Sequence, residues 1–275
     1  MRLRISHVTE YHYDQPVQFS LQRLRLTPRS HAGQTVVGWN VSVEGPHIEV
    51  EYDDQFGNHV NLVSSEGHQS VTRIVATGEV ETEDRNGITG PHAGFCPLWL
   101  FRRETALTTA GKLVGDLTRR LPQGADIERM HGLMEAIRKR IEYKPGATGT
   151  ETTAEEALQR GAGVCQDHAH VFIAAARTLG LPSRYVSGYL MMPGQPQQSA
   201  THAWAEVHVE GLGWVGFDPA NGICPDARYV RIATGLDYRD AAPVSGLRIG
   251  TGGGENLSVD ISVENTGQMQ AQSQS

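Results

Sequence analysis

Gly161-Ala162-Gly163-Val164-Cys165-Gln166-Asp167-His168-Ala169 carries the chain out of a backbone breaker and into a helix. Apolar and small residues hold a helical pattern over 165–179, and Gly180 and Pro182 end it. Cys165 therefore opens the helix. The first turn of a helix has unpaired N–H groups and partial positive charge, which stabilise a thiolate and can bind a developing oxyanion. Taken alone, Cys165 reads more simply as a small buried hydrophobe, so its role depends on what the rest of the chain brings to it.

Working outward, strands are expected at 183–191, 202–209 and 213–217. His202 starts the second after a Gly/Pro/Gln-rich loop, where a base is both accessible and held. Asp218 closes Gly213-Trp214-Val215-Gly216-Phe217-Asp218-Pro219 and, by itself, could be only a turn starter before proline. A helix over 165–179 carries the chain away by roughly 20 Å. The next strand can return it, so that His202 starts near Cys165 and a hairpin brings back Asp218. The separation is 218 − 202 = 16, which centres direct pairing on Glu210. A tight Gly211-Leu212 loop would pair Asp218 with Ala205, on the other face. The expectation is therefore a loop of about five residues, or a bulge, with Asp218 on Nδ1 of His202.

Upstream, residues 1–84 read as a β-rich domain. Alternating runs such as Arg2-Leu3-Arg4-Ile5 and Thr35 to Val43 are separated by turns such as Asp53-Asp54-Gln55-Phe56-Gly57-Asn58. Residues 84–94 have the Gly/Pro composition of a linker. Helices are expected over 104–120 and 127–141, the latter with Ile127, Met130, Leu133, Met134, Ile137 and Ile141 on one stripe. Thr153 to Glu156 fits a capping box. Residues 95–265 are expected to form a second, catalytic domain, and the Gln/Ser-rich 266–275 a disordered tail.

Four ordered motifs now stand together: Gly161 to Ala169, Leu179-Gly-Leu-Pro-Ser-Arg-Tyr-Val-Ser-Gly188, His202-Ala-Trp204 and Trp214-Val-Gly-Phe-Asp218-Pro219. They resemble the core motifs of the transglutaminase-like superfamily. The β-rich start and the run Arg228-Tyr-Val-Arg-Ile-Ala233 resemble a bacterial subfamily with its own N-terminal region. The resemblance implies an α+β, papain-like core with the nucleophile helix packed on an antiparallel sheet. It also implies a triad of Cys165 as nucleophile, His202 as base and Asp218 as orienting acid. An upstream side chain is then expected to complete the oxyanion hole with the Cys165 N–H, and Tyr143 and Gln159 are the two candidates. Gln166 stands where animal transglutaminases carry tryptophan, and no acidic calcium loop is visible, so crosslinking is not implied. The expected chemistry is acyl transfer from a peptide or protein amide through a thioester, with hydrolysis favoured. A protein-glutamine transamidase is the alternative, and a non-catalytic interaction module on this fold is the rival of a different class.

Cys165-x-x-His168-x-His170 also looks ligand-like, but residues 165 and 170 lie about 140° apart around a helix. A structural zinc site would want more cysteines. No metal or cofactor is expected, and His168, His170 and Asp167 read as packing or supporting groups. Trp204 and Trp214 read as core or cleft-wall aromatics. The charge balance is 24 − 31 = −7, which argues against nucleic acid as a partner. The start of the chain lacks the apolar run of a leader peptide, and no stretch approaches a membrane span. Three cysteines, an odd count, suit free thiols in a reducing compartment. A cytoplasmic location is expected, with Cys96 and Cys224 non-catalytic.

Overall fold

The computed structural model describes residues 1–249 and 254–267. In chain order its elements begin with strands β1 (Arg2–Thr27), β2 (Gln34–Glu44), β3 (His47–Asp53), β4 (His59–Thr82) and β5 (Ile88–Gly90). A 3-10 turn at Leu98–Arg102 leads to α1 (Lys112–Arg119), α2 (Asp126–Arg140), β6 (Glu142–Tyr143), α3 (Ala154–Arg160), β7 (Ala162–Gly163) and α4 (Cys165–Thr178). Then come β8 (Ser183–Leu190), β9 (Gln197–Gln198), β10 (His202–Val209), β11 (Gly213–Phe217) and β12 (Tyr229–Gly235). The last are α5 (Tyr238–Ala241), β13 (Val244–Ile249) and β14 (Glu255–Asn265).

Alternation along β1 buries Leu3, Ile5, His7 and Thr9 and exposes Arg2 and Arg4, the pattern of a sheet wet on one face. The first sheet runs β2-β4-β1-β14-β9, with β3 also on β4 and β13 also on β1. The second runs β12-β8-β10-β11-β5 and is antiparallel throughout. Helix α4 is buried on nearly every side because it packs on β8 and β10 with one face and on α1, α2 and α3 with others. The architecture is the expected α+β one, with the cysteine-bearing helix on an antiparallel sheet.

Three expectations change. The helix expected over 104–120 is helical only from Lys112. Ahead of Gly111, threonine side chains compete for the backbone. Thr105 N–H donates to Thr108 Oγ1 at 3.2 Å, and Thr109 Oγ1 donates to the Thr105 carbonyl at 2.9 Å. The buried Arg177 guanidinium then fixes this segment, donating to the Phe101 carbonyl at 3.0 Å and to Thr108 Oγ1 at 2.7 Å. The linker is not plain linker, since β5 within it pairs with β11. And β13 and β14, expected in the second domain, hydrogen-bond onto β1 of the first sheet. Of the expected tail, residues 268–275 lie outside the described residues.

The two sheets share a core in which Leu3, Ile5, Leu24 and Ile74 meet Tyr189, Met191, Val230 and Ile232. Side-chain amides close the outer edge of β12, which would otherwise present unpaired backbone groups. Gln34 accepts from Arg231 N–H at 2.8 Å and donates to its carbonyl at 2.9 Å. Asn58 does the same for Thr234, at 2.8 Å in both directions. That edge strand carries Tyr229, so the first sheet braces one wall of the site described next.

Candidate active site

Gly163 leads into the extended Val164 and then Cys165, the first residue of α4. Asp167 caps the turn, accepting from Val164 N–H at 2.7 Å and from the Thr148 hydroxyl at 2.6 Å. Burial raises the pKa of Asp167 above the usual carboxylate range, and these hydrogen bonds oppose it. Cys165 is 9% exposed and lines an open cleft of about 530 Å³ with Tyr143, Met192, Gln198, His202 and Asn221.

His202 and Asp218 are set by the β10–β11 hairpin. Val209 pairs with Gly213, so the loop is Glu210, Gly211 and Leu212, and Ala205 pairs with Phe217. This loop is shorter than the expected five residues, and no bulge interrupts the pair. Extrapolating the register sets Asp218 opposite Trp204, two positions from His202 and therefore on the same face. The diagonal, not the direct pair, brings the two together. His202 Nε2 lies 2.6 Å from Asp218 Oδ2, so the contact uses Nε2 where Nδ1 was expected. His202 and Cys165 line the same cleft, and the Cys165 side chain is among the groups that favour the charged form of the His202 ring.

Asp218 is fully buried yet accepts widely. Its Oδ2 takes Tyr229 Oη at 2.7 Å and Asn221 Nδ2 at 2.7 Å besides His202. Its Oδ1 takes the N–H groups of Ala220 at 3.0 Å and Asn221 at 3.2 Å. Burial alone would raise its pKa, but these donors and the His202 charge hold it below the ordinary carboxylate value. For His202, burial favours the neutral ring, while the hydrogen bond to Asp218 and the negative charges of Asp218 and Cys165 outweigh it and raise the pKa. The imidazolium is therefore the favoured form at neutral pH. Trp204 stacks on the His202 ring with centroids 6.2 Å apart and meets Tyr229 edge-on at 5.4 Å. Trp214 sits away from the site, under Arg184 at 4.1 Å.

Tyr143 reaches the cleft because β6 pairs in parallel with β7, two residues before Cys165. Its side chain lines the cleft with Cys165, and burial, with the Cys165 and Asp218 charges, pushes its pKa up to about 12. It remains a proton donor at neutral pH. Gln159, the other oxyanion candidate, is exposed on α3 and does not line the cleft, because α3 turns that face to solvent. His168 and His170 do not converge on Cys165. The ring nitrogens of His168 meet the carbonyls of Val164 at 2.8 Å and Ile141 at 3.2 Å, while His170 Nε2 accepts from Tyr238 N–H at 3.2 Å. Among the described residues, no group of three or more His, Cys, Asp or Glu side chains is placed to hold a metal ion. All three cysteines are free thiols. No helix among the described residues is long and apolar enough to cross a membrane.

Tyr229 and Asn221 were missed by sequence reasoning. Tyr229 lies in the quoted run from Arg228 to Ala233, and Asn221 in the turn after Pro219, but neither stretch signals that its polar atom turns toward Asp218.

Comparison with known proteins covers most of the chain. Residues 114–219 match the model of the transglutaminase-like superfamily core, and residues 3–81 that of the bacterial transglutaminase-like N-terminal region. An uncharacterized protein of Mycobacterium leprae is 31% identical over 96% of this chain and 98% of its own length. One of Mycobacterium tuberculosis is 31% identical over 96% and 92%. The solved structure of a candidate cysteine protease from Cytophaga hutchinsonii superposes with a TM-score of 0.76 at 23% identity, covering 97% of this chain and 91% of that one.

Proposed function

Because the chain belongs to the transglutaminase-like superfamily, we propose that it is a thiol enzyme that cleaves amide bonds of peptides or proteins, with Cys165 as nucleophile. The observation that carries this reading is the 2.6 Å hydrogen bond between His202 and the buried Asp218, with His202 and Cys165 lining one open cleft.

In the first half-reaction Cys165 Sγ attacks the amide carbonyl carbon, and the carbonyl electrons move onto oxygen. The Cys165 N–H at the start of α4 and the Tyr143 hydroxyl are the donors proposed for that oxyanion. When the C–N bond breaks, the His202 imidazolium gives its proton to the departing nitrogen, leaving a thioester. In the second half His202, now neutral, takes a proton from water. The hydroxide attacks the thioester and the C–S bond breaks, giving the carboxylic acid, which loses its proton to solvent, and restoring thiolate and imidazolium. Asp218 holds the ring in place and stabilises its charge throughout. The cleft is open to solvent on the Ser199–Ala200 side, where Ser199 and Ala200 are exposed, which favours water over an amine as acceptor.

The test is a screen of amide-containing peptides with the full chain and Cys165→Ala. Cleavage by the parent and none by the variant supports the reading. Release of ammonia with retention of an added primary amine in the product would make the enzyme a transamidase instead.

A further inference from the structure

The cleft at Cys165 is walled on one side by the loop between β8 and β10. Gln195, Gln198 and Ser199 of that loop line it on one side and, on the other, line a second groove of about 740 Å³ over the first sheet. The floor of the second groove is Val8 and Glu10 of β1, Arg73 of β4, and Ser258 and Asp260 of β14. The register sets Val8 opposite Asp260, and Glu10 opposite both Ser258 and Arg73, so these side chains share one face of the sheet. The loop between the grooves is fastened at both ends. Gln198 and Gln197 pair with Ile261 and Ser262 of β14, and Val263 N–H donates to the Pro196 carbonyl at 3.0 Å. On the other side Gln198 Nε2 donates to the Leu190 carbonyl, at the end of β8, at 2.7 Å. One short segment thus joins the two sheets and forms the shared wall of the two grooves.

We propose that the second groove holds the polypeptide flanking the scissile amide, in extended conformation, and that Asp260 selects a basic side chain on it. The inference rests on Cys165 being the place of cleavage. From His202 back to Gln198 the chain spans at most about 13–14 Å, and Gln198 pairs with Ile261, the neighbour of Asp260. An extended substrate therefore reaches Asp260 about four to six residues from the cleaved bond. Arg73 is already paired, with Glu10 at 2.9 Å and Glu44 at 2.9 Å. Asp260 is exposed and has no ion-pair partner among the described residues. The far end of the groove is thus negative, and a lysine or arginine is the side chain that complements it. This gives the N-terminal sheet a part in substrate choice besides bracing β12.

The experiment uses two fluorescein-labelled, end-blocked peptides of about eleven Gly, Ser, Ala and Gln residues, identical except for Lys or Glu five positions to each side of the centre. Binding to the full-length Cys165→Ala protein is read by fluorescence polarisation. The Lys peptide is expected to bind about tenfold tighter than the Glu peptide, and Asp260→Lys to reverse that order. Should Asp260→Lys fail to fold, Ser258→Arg makes a like charge change on the same face. Equal binding of both peptides, no binding of either, or a preference that survives the charge change overturns the proposal. So does self-association in sedimentation velocity that Asp260→Lys abolishes, since the occupant would then be a second copy of the chain. Cleavage of a short blocked amide by the parent protein reports on Cys165 separately. Peptide selectivity without such cleavage sinks the catalytic reading and leaves a docking groove, and cleavage without selectivity sinks the groove.

Discussion

Tyr229 donates its phenolic hydrogen to the same Asp218 oxygen that holds His202, at 2.7 Å against 2.6 Å for the imidazole. The two donors come from opposite sides of β8, Tyr229 on β12 and His202 on β10. The carboxylate is thus fixed by a strand that the N-terminal sheet braces. Tyr229→Phe removes one charge-assisted hydrogen bond, typically worth about 1.5–3 kcal/mol, and leaves the ring packing on Trp204. A fall of about ten- to a hundredfold in kcat is expected, with KM for a short amide changed much less. The Tyr229 hydrogen bond is one of the causes that lower the Asp218 pKa, so its loss moves the acid limb of the pH–rate profile to higher pH. An unchanged profile and rate would show that Tyr229 only packs.

Gly188 explains one motif position. A Cβ there would stand 2.2 Å from the Val230 carbonyl and 2.5 Å from the Trp204 ring. Trp204 in turn lies on His202. Gly188→Ala must push Trp204 or β12 aside, and overpacking of this kind typically costs about 1–3 kcal/mol. Urea unfolding is expected to show that loss, and amide cleavage per folded molecule to fall with it because the His202 stack is disturbed. A variant of parental stability and activity would mean that the contact relaxes freely.

Much of this site is legible in the sequence because it is built from local patterns. The breaker before Cys165, the helix through Thr178 and the strand ends at His202 and Asp218 each follow from spacing over a few residues. Parity excluded the two-residue hairpin and left His202 and Asp218 on one face. The direct pairing expected from it, with a loop of about five residues or a bulge, gives way to the diagonal that a three-residue loop sets. What the sequence hides is long-range pairing. Alternation over 255–265 says strand, but not that its partner is β1, more than two hundred residues earlier. Tyr229 reads as one more strand aromatic until β12 lies beside β8. Tyr143 comes near Cys165 only through a two-residue parallel ladder, too short to leave a periodic signal, and Gln159 fails because the direction of its helix face depends on packing.

His170 predicts how stability varies with pH. The ring is fully buried, and its Nε2 accepts from Tyr238 N–H, which requires the neutral form. Burial lowers its pKa from 6.5 to about 4. Between those values the unfolded chain binds a proton that the folded chain does not, so stability falls as pH drops from 6.5 toward 4. One such group gives a slope of up to about 1.4 kcal/mol per pH unit. His7, buried and likewise lowered to about 4, adds to it. Urea midpoints from pH 8 to pH 5 are expected to decline below pH 6.5, and His170→Asn to flatten the decline by about one group's share. A decline equally steep in the variant would place the titrating groups elsewhere.

The cysteines offer the sharpest separation of enzyme from scaffold. Burial raises the pKa of Cys96 and pushes that of Cys224 up to about 11, so both stay thiols and react slowly near neutral pH. Cys165 instead lines the open cleft at a helix N-terminus, together with a His202 whose protonated form is favoured. An adjacent imidazolium favours thiolate over thiol. A model thiol with a pKa near 8.5 is less than about 1% thiolate at about pH 6. Iodoacetamide at that pH, with sites mapped by mass spectrometry, is therefore expected to label Cys165 first and at least about tenfold faster than a model thiol. His202→Ala is expected to slow labelling by removing the positive partner. Asp218→Asn is expected to slow it less, because the ring remains while its positive form loses its main support. A Cys165 that labels no faster than a free thiol, at a rate His202→Ala does not change, would mean the pair is not assembled in solution, and the binding-module reading would replace the enzyme.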